Sequence, residues 1–285
     1  MFTDEQVRQY RRDGYVVYSG FLSAAEVAGF LAEIERIAAG NTLANHDKTR
    51  MEMEPNQAPG GTRVRRLYEP CTYYPLFRAL SESPRLLDCV VQLLGPDLVF
   101  HYSKINMKPP AIGSVVEWHQ DLSYYPLTNP DSVSILFYLD DADTGNGCLQ
   151  VLPGAHTGRL LDHTRDGIFQ GRVTEAVDET RAVPLEGKAG SVIFMHAMLP
   201  HASVQNTSDR PRRTLILSYR AADAFPIYCG EMTANSESNA RLVRGKLATE
   251  ARFAMPDRFP IPHYPRTTAS LYELQELSRQ GRASR

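Results

Sequence analysis

Apolar residues recur at helical spacing through the first hundred positions and then, from Leu98 onward, fall into short β-branched and aromatic runs broken by Gly, Pro and Asn. The opening stretch "FTDEQVRQYRRDGYVVYSGFLSAAEVAGFLAEIERIAAG" predicts a helix capped by Thr3, a short strand over "YVVYSGF", and a longer helix ending at Gly40. Ser23 caps this second helix, with Glu26 three residues further on in the capping-box position. Residues 41–66 have no sustained period and contain Asn, Pro and Gly-Gly, which predicts a long loop. "YPLFRALSESPRLLDCVVQLLG" predicts two short helices closed by Gly95. "LVFHYSKINMKP", "SVVEWHQ", "SVSILFYLDD", "GCLQVLPG", "SVIFMHAMLPHASV" and "RTLILSYRAA" each suit a strand, and so many short strands with turn signals predict a sandwich or barrel. A polar insertion separates Leu160 from Glu186, and "SESNARLVRGKLA" and "TASLYELQELSRQ" read as terminal helices.

Composition narrows the partners. Against 33 acidic residues stand 31 basic ones, a net charge of −2, so the basic excess of a nucleic-acid binder is missing. The N-terminus is charged from its fourth residue and no window approaches a membrane span, so the sequence predicts a cytoplasmic protein without a membrane partner. Cys71, Cys89, Cys148 and Cys229 lie far apart, without the short spacing of a zinc site, and fit a reducing compartment. Oligomeric state has no signature in the sequence.

The chemistry centres on "VVEWHQDLSYYP". Residues two apart on a strand or its exit point to one side, so His119 and Asp121 can set an imidazole nitrogen and a carboxylate oxygen on one ion. Two histidines and one carboxylate on one face leave the opposite positions open, as in non-haem Fe(II) oxygenases, although Cu or Zn would accept similar ligands. A third ligand must come from another strand, where His196 and His201 are the candidates. Ser203, Asn206 and Arg212 follow His201 by two, five and eleven residues. An arginine at the end of an adjacent strand offers a two-donor fork to a dicarboxylate, and a serine hydroxyl adds a third hydrogen bond.

HxD, then about eighty residues, then "HASVQNTSDRPRR", together with "HQDLSYYP", "GNGCLQVLPGAHTG" and "INMKPP", resembles the phytanoyl-CoA dioxygenase family of Fe(II)/2-oxoglutarate oxygenases over roughly residues 98–222. The resemblance implies a mainly β fold with flanking helices, a double-stranded β-helix of the jelly-roll, cupin-like kind. It implies one catalytic domain over 1–285: a helical buttress about 1–97, a jelly-roll core about 98–222 and an extension 223–285. It also implies His119, Asp121 and His201 as iron ligands, with Arg212 and Ser203 on the distal carboxylate of 2-oxoglutarate. Phe137 sits where relatives often carry an aromatic lining the cosubstrate pocket, and Asn106 and Lys104 are further candidate contacts. Relatives that halogenate replace the carboxylate ligand by a small residue, so Asp121 implies hydroxylation or a related oxidation of a small-molecule substrate, with O2 consumed and succinate and CO2 released.

Several positions carry competing readings. His196 reads as a core residue, and Arg213 competes with Arg212 because adjacent strand residues face opposite ways. Trp118, Tyr124 and Tyr125 read either as core aromatics or as walls of the substrate pocket. Arg63, Arg65, Arg66, Arg159, Arg165 and Arg172 could ring the pocket for a CoA thioester or be solvated loop charges. The alternative to an enzyme is a jelly roll that binds metal and ligand without turnover.

Overall fold

The computed structural model describes residues 1–111, 114–227, 239–254 and 271–281. The N-terminal order is α1 (Asp4–Asp13), β1 (Tyr15–Tyr18), α2 (Ala24–Ala38), β2 (Met51–Met53), β3 (Val64–Tyr68), α3 (Pro70–Tyr73), α4 (Pro75–Ser81) and α5 (Pro84–Leu94). Then come β4 (Leu98–Lys108), β5 (Val116–His119), β6 (Ser132–Tyr138), β7 (Leu149–Val151), β8 (Thr164–Arg165), β9 (Ile168–Phe169) and β10 (Val183–Leu185). The chain continues with β11 (Val192–His196), β12 (His201–Ser203), β13 (Arg212–Ala221), β14 (Arg241–Arg244) and α6 (Leu271–Arg279).

Thr3 with Gln6, and Ser23 with Glu26, close the capping boxes that start α1 and α2. The strands form two main sheets: a major one in the order β1-β11-β6-β13-β4-β3-β2, with β14 also on β4, and a minor one in the order β10-β7-β12-β5. Strand parity divides the apolar residues of the major sheet between two cores. Val133, Ile135, Phe137, Val192, Phe194, Leu215, Leu217 and Tyr219 face the helices, where Phe30, Ile34, Phe77 and Leu86 meet them. Leu136, Tyr138, Ile193, Met195 and Ile216 face inward and pack with Leu149, Val151 and Leu185 of the minor sheet. This is the jelly roll that the sequence predicted, with its helices on one sheet.

Three local expectations fail. The 41–66 segment is more than a loop: it holds β2 and the start of β3, because Val64 and Leu67 bury against the helical core and β3 pairs with β4. "SVIFMHAMLPHASV" is two strands rather than one, since a turn before His201 carries the chain from the major sheet to the minor one. The segment read as a helix over 236–248 contains β14, whose pairing with β4 overrides local propensity; residues 236–238 lie outside the described part. α6 stands where the second terminal helix was predicted. No described helix is long and apolar enough to cross a membrane.

Candidate metal centre and cosubstrate pocket

β12 lies between β7 and β5 in the minor sheet, and its register sets His201 directly opposite His119. The two imidazole centroids are consequently 4.0 Å apart. Asp121 follows in a single turn of 3₁₀ helix, and its Oδ1 lies 3.7 Å from His119 Nε2 and 3.7 Å from His201 Nε2. Among the described residues these three form the one cluster of metal-binding side chains, and all three are buried.

Each donor is oriented by a second partner. His119 Nδ1 lies 2.8 Å from the carbonyl of Glu117, and His201 Nδ1 lies 3.0 Å from that of Leu199. A carbonyl only accepts, so each Nδ1 carries the proton and each Nε2 keeps its lone pair for an ion. Ser134 Oγ donates to Asp121 Oδ2 at 2.5 Å, leaving Oδ1 toward the histidines. Burial pushes both imidazoles below their ordinary range, His119 the further, which keeps them neutral. Burial alone would raise the Asp121 carboxyl, but the surrounding His201, Lys104 and His119 and the Ser134 hydrogen bond reverse this and hold it low. Two neutral imidazoles and an ionised carboxylate fit a divalent ion with open positions.

The pocket that contains the triad runs along the inward row of the major sheet. Lys104, Asn106 and Lys108 alternate along β4, opposite Ile216, Thr214 and Arg212 of β13. Arg212 is buried; its guanidinium donates to Thr214 Oγ1 and to the Gly147 carbonyl, each at 2.7 Å, and its Nε has no partner. Burial without a carboxylate partner lowers its pKa. Arg213 points the other way and pairs with Asp140 at 2.7 Å. Lys108 is also buried, and its ammonium donates to the carbonyls of Ser203 and Val204. Gly147, at φ 78°, allows this close approach: a side chain there would strike Val204 and Lys108.

Ser203, Asn106 and Lys104 line the pocket. Phe137 does not: it lies on the helical face, 5.8 Å from the ring of Phe21, and its neighbours Leu136 and Tyr138 take the pocket face. Trp118, one residue out of phase with His119, packs with Leu152, Val173 and Ala202. Tyr124 sits edge-on to His119 at 5.5 Å, and the Tyr125 hydroxyl is 3.5 Å from Ser134 Oγ, so both adjoin the triad. His196 turns away toward Tyr10 and His156. No basic rim for a CoA moiety forms from Arg65 and Arg159, which pair with Glu54 and Glu175, or from Arg66, which is buried.

Three neighbours escaped the sequence reading. Lys108 lies inside the quoted "INMKPP" with the same parity as Lys104, which was the available signal. Tyr272 of α6 reaches the pocket from far along the chain, 4.4 Å and 4.8 Å from the guanidinium carbons of Arg65 and Arg66, and no local pattern announces it. Gln120, buried between two of the ligands, donates to the Met198 carbonyl and accepts from the Leu161 amide, both at 2.7 Å.

A jelly roll with an inward two-histidine, one-carboxylate triad, beside a buried arginine that has no carboxylate partner among the described residues, defines a non-haem Fe(II)- and 2-oxoglutarate-dependent dioxygenase. Comparison with known proteins agrees. The chain belongs to the phytanoyl-CoA dioxygenase (PhyH) family, whose model matches residues 10–214. It is 34% identical over 271 residues, 92% of this chain and 93% of the relative, to a probable alpha-ketoglutarate-dependent hypophosphite dioxygenase of Stutzerimonas stutzeri. To a methylphosphonate hydroxylase of Gimesia maris it is 30% identical over 219 residues, 77% of this chain and 81% of that one. The crystal structure of EctD from S. alaskensis with 2-oxoglutarate and 5-hydroxyectoine aligns with a TM-score of 0.65 at 26% identity, over 78% of this chain and 77% of the other. The protein is therefore an oxidoreductase that uses Fe(II), 2-oxoglutarate and O2.

Proposed function

We propose that His119, Asp121 and His201 hold the Fe(II), and that Arg212 and Ser203 receive the 5-carboxylate of 2-oxoglutarate. The supporting observation is Arg212 itself: a buried guanidinium in the triad's own pocket, with one N–H unpartnered and no carboxylate of its own. A dicarboxylate bound there satisfies that donor and neutralises the charge. Lys108 adds positive charge at the same end, while Asn106, Leu136 and Tyr138 shape the wall. Arg66 Nε donates to Asn106 Oδ1 at 2.9 Å, which turns the Asn106 amide nitrogen toward the pocket as a donor.

Bound Fe(II) supplies chelation of the 2-oxo acid and activation of O2, so that one oxygen atom ends in succinate and the other in the oxidised substrate, with CO2 released. The protein's part is geometric and electrostatic. Two backbone carbonyls fix the imidazole tautomers, Ser134 fixes the rotation of Asp121, and the apolar walls Val116, Leu149, Met195 and Ala202 exclude water. The substrate is a small molecule, in keeping with relatives named for hypophosphite and methylphosphonate. The whole chain works as one catalytic domain in the cytoplasm, without nucleic-acid or membrane partners.

Anaerobic titration of the apoprotein with Fe(II) and then 2-oxoglutarate tests the assignment through the weak visible band of a chelated 2-oxo acid. Wild type gives the band; Arg212→Ala needs ~30-fold or more cosubstrate to reach it, the effect of removing one partner from a buried charge pair. Arg213→Ala, on the outer face, leaves the titration unchanged. Equal affinity in wild type and Arg212→Ala refutes the cosubstrate clamp.

A further inference from the structure

Lys104 differs from every other cation around the pocket. Arg212 and Lys108 donate to backbone carbonyls, and Arg66 donates to Asn106. The Lys104 ammonium has no hydrogen-bond or ion-pair partner among the described residues, and it lies 5.7 Å from the centroid of the Tyr102 ring. It is only partly exposed and lines the same pocket as His119, Asp121 and His201. The next strand adds a second incomplete group: Arg66 is 4% exposed and its Nη2 has no partner.

Charge balance asks what completes them. The pocket lining carries three cations, Lys104, Lys108 and Arg212, and one carboxylate, Asp121. A divalent ion and a doubly charged cosubstrate cancel each other, so the lining's own surplus of two positive charges survives loading. With Lys108 counted as neutral, since burial and Arg212 drive its pKa well down, one positive charge still survives, and Lys104 is the group left without a counter-charge. A charge largely withdrawn from water without a partner is unfavourable, so a site of this kind selects an anion.

We infer that the substrate is an oxyanion whose acid group is received by Lys104, with Arg66 and the Asn106 amide behind it, and that it is oxidised at a bond within a few atoms of that acid group. The second clause follows from the shared pocket: a carboxylate or phosphorus oxyanion on Lys104 occupies the cavity that the triad lines, so the reacting bond is close to the acid. Stoichiometrically, R–H, 2-oxoglutarate and O2 give R–OH, succinate and CO2; O2 takes up four electrons, two from the substrate bond and two from the 2-oxo acid. This inference rests on the triad and Arg212 holding metal and cosubstrate as proposed above.

The test uses the full chain loaded anaerobically with Fe(II) and 2-oxoglutarate, titrated with hypophosphite, methylphosphonate, propanoate and, as the neutral comparison, propanamide. The readouts are perturbation of the visible chelate band and, after admission of air, succinate release. In wild type at least one oxyanion perturbs the band and raises succinate release while propanamide does neither; the responding member tells phosphorus acids from carboxylates. Lys104→Gln still forms the chelate band but needs about 10-fold or more of the same oxyanion, a loss of roughly 1.4 kcal/mol, and Lys104→Arg restores most of the response. Oxyanions no better than propanamide, or a Lys104→Gln protein that responds as wild type does, overturn the inference. So does a Lys104→Gln protein that loses 2-oxoglutarate affinity alone, which returns Lys104 to the cosubstrate. Absence of the band in wild type refutes the underlying metal and cosubstrate reading, and is seen before any oxyanion is added.

Discussion

Gln120 is outside the metal-binding cluster, its amide oxygen being taken by the Leu161 amide, yet it is fully buried between His119 and Asp121 and spans three segments of the chain. Its amide nitrogen holds the Met198 carbonyl, in the turn that delivers His201, and its amide oxygen holds Leu161, at the start of the polar insertion. Its own backbone N–H donates to His163 Nε2 at 3.1 Å. Gln120→Ala leaves the buried Met198 carbonyl and the part-buried Leu161 amide unsatisfied, a loss of roughly 2 kcal/mol. The expected outcome is a melting temperature lower by on the order of 5 °C and weaker Fe(II) binding, although all three ligands remain. Thermal melts and Fe(II) titration check both; an unchanged Fe(II) affinity would show that Gln120 supports the fold and not the ligand geometry. The cluster of His119, Asp121 and His201 was legible in the sequence because HxD sets two donors on one side and the spacing of HASVQNTSDRPRR downstream of it matches a known family. Phe137 was misplaced by the same arithmetic: one residue along β6 exchanges the pocket face for the helical face, and an aromatic suits either.

Between strand and helix, the junction of β3 and α3 carries a buried carboxyl. Glu69 adopts a left-handed conformation, φ 49°, and accepts only long hydrogen bonds, from Thr72 Oγ1 at 3.2 Å, Ser103 Oγ at 3.4 Å and the Ser103 amide at 3.5 Å. Burial outweighs these bonds and raises its pKa from 4.5 to about 7. A carboxyl whose folded pKa is raised adds stability that is complete below about pH 4.5 and is lost as pH climbs through about 7. The whole effect is at most about 3 kcal/mol at 1.36 kcal/mol per pKa unit. Buried His101 and His196, both pushed down to about 3 by burial first, tilt the pH profile the opposite way. The informative quantity is therefore the difference between Glu69→Gln and wild type: the variant gains relative melting temperature from pH 5 to pH 8. A difference that stays flat across that range would show that Glu69 ionises normally. Such tertiary effects also explain which elements were illegible. β14 is a strand because β4 offers it a free edge, and β3 is a strand because Val64 and Leu67 find the helical core; neither cause lies in the segment's own sequence. α1, α2 and α6 carry their own caps or periodicity and were legible.

For the whole molecule, the decisive feature is that the major sheet has no solvent face along its central strands. One side closes the metal pocket, and the other, from Val133 to Tyr219, is covered by the N-terminal helices. Each apolar side chain on that covered face contributes on the order of 1.5–3 kcal/mol by leaving water, so the helices cannot detach without exposing a contiguous apolar surface. α6 ties the opposite end: Gln275 accepts from the Glu117 amide at 3.2 Å, two residues before His119, and donates to the Gly171 carbonyl at 2.6 Å. Buttress, core and C-terminal helix should accordingly unfold together. Scanning calorimetry of the apoprotein is expected to show one transition with equal calorimetric and van't Hoff enthalpies. Adding Fe(II) with 2-oxoglutarate under anaerobic conditions should move that transition upward as a unit, because ligands that bind only the folded state stabilise everything coupled to it. Two transitions, only one of which responds to the ligands, would show instead that the helical buttress is an independent domain and that the metal site depends on the jelly roll alone.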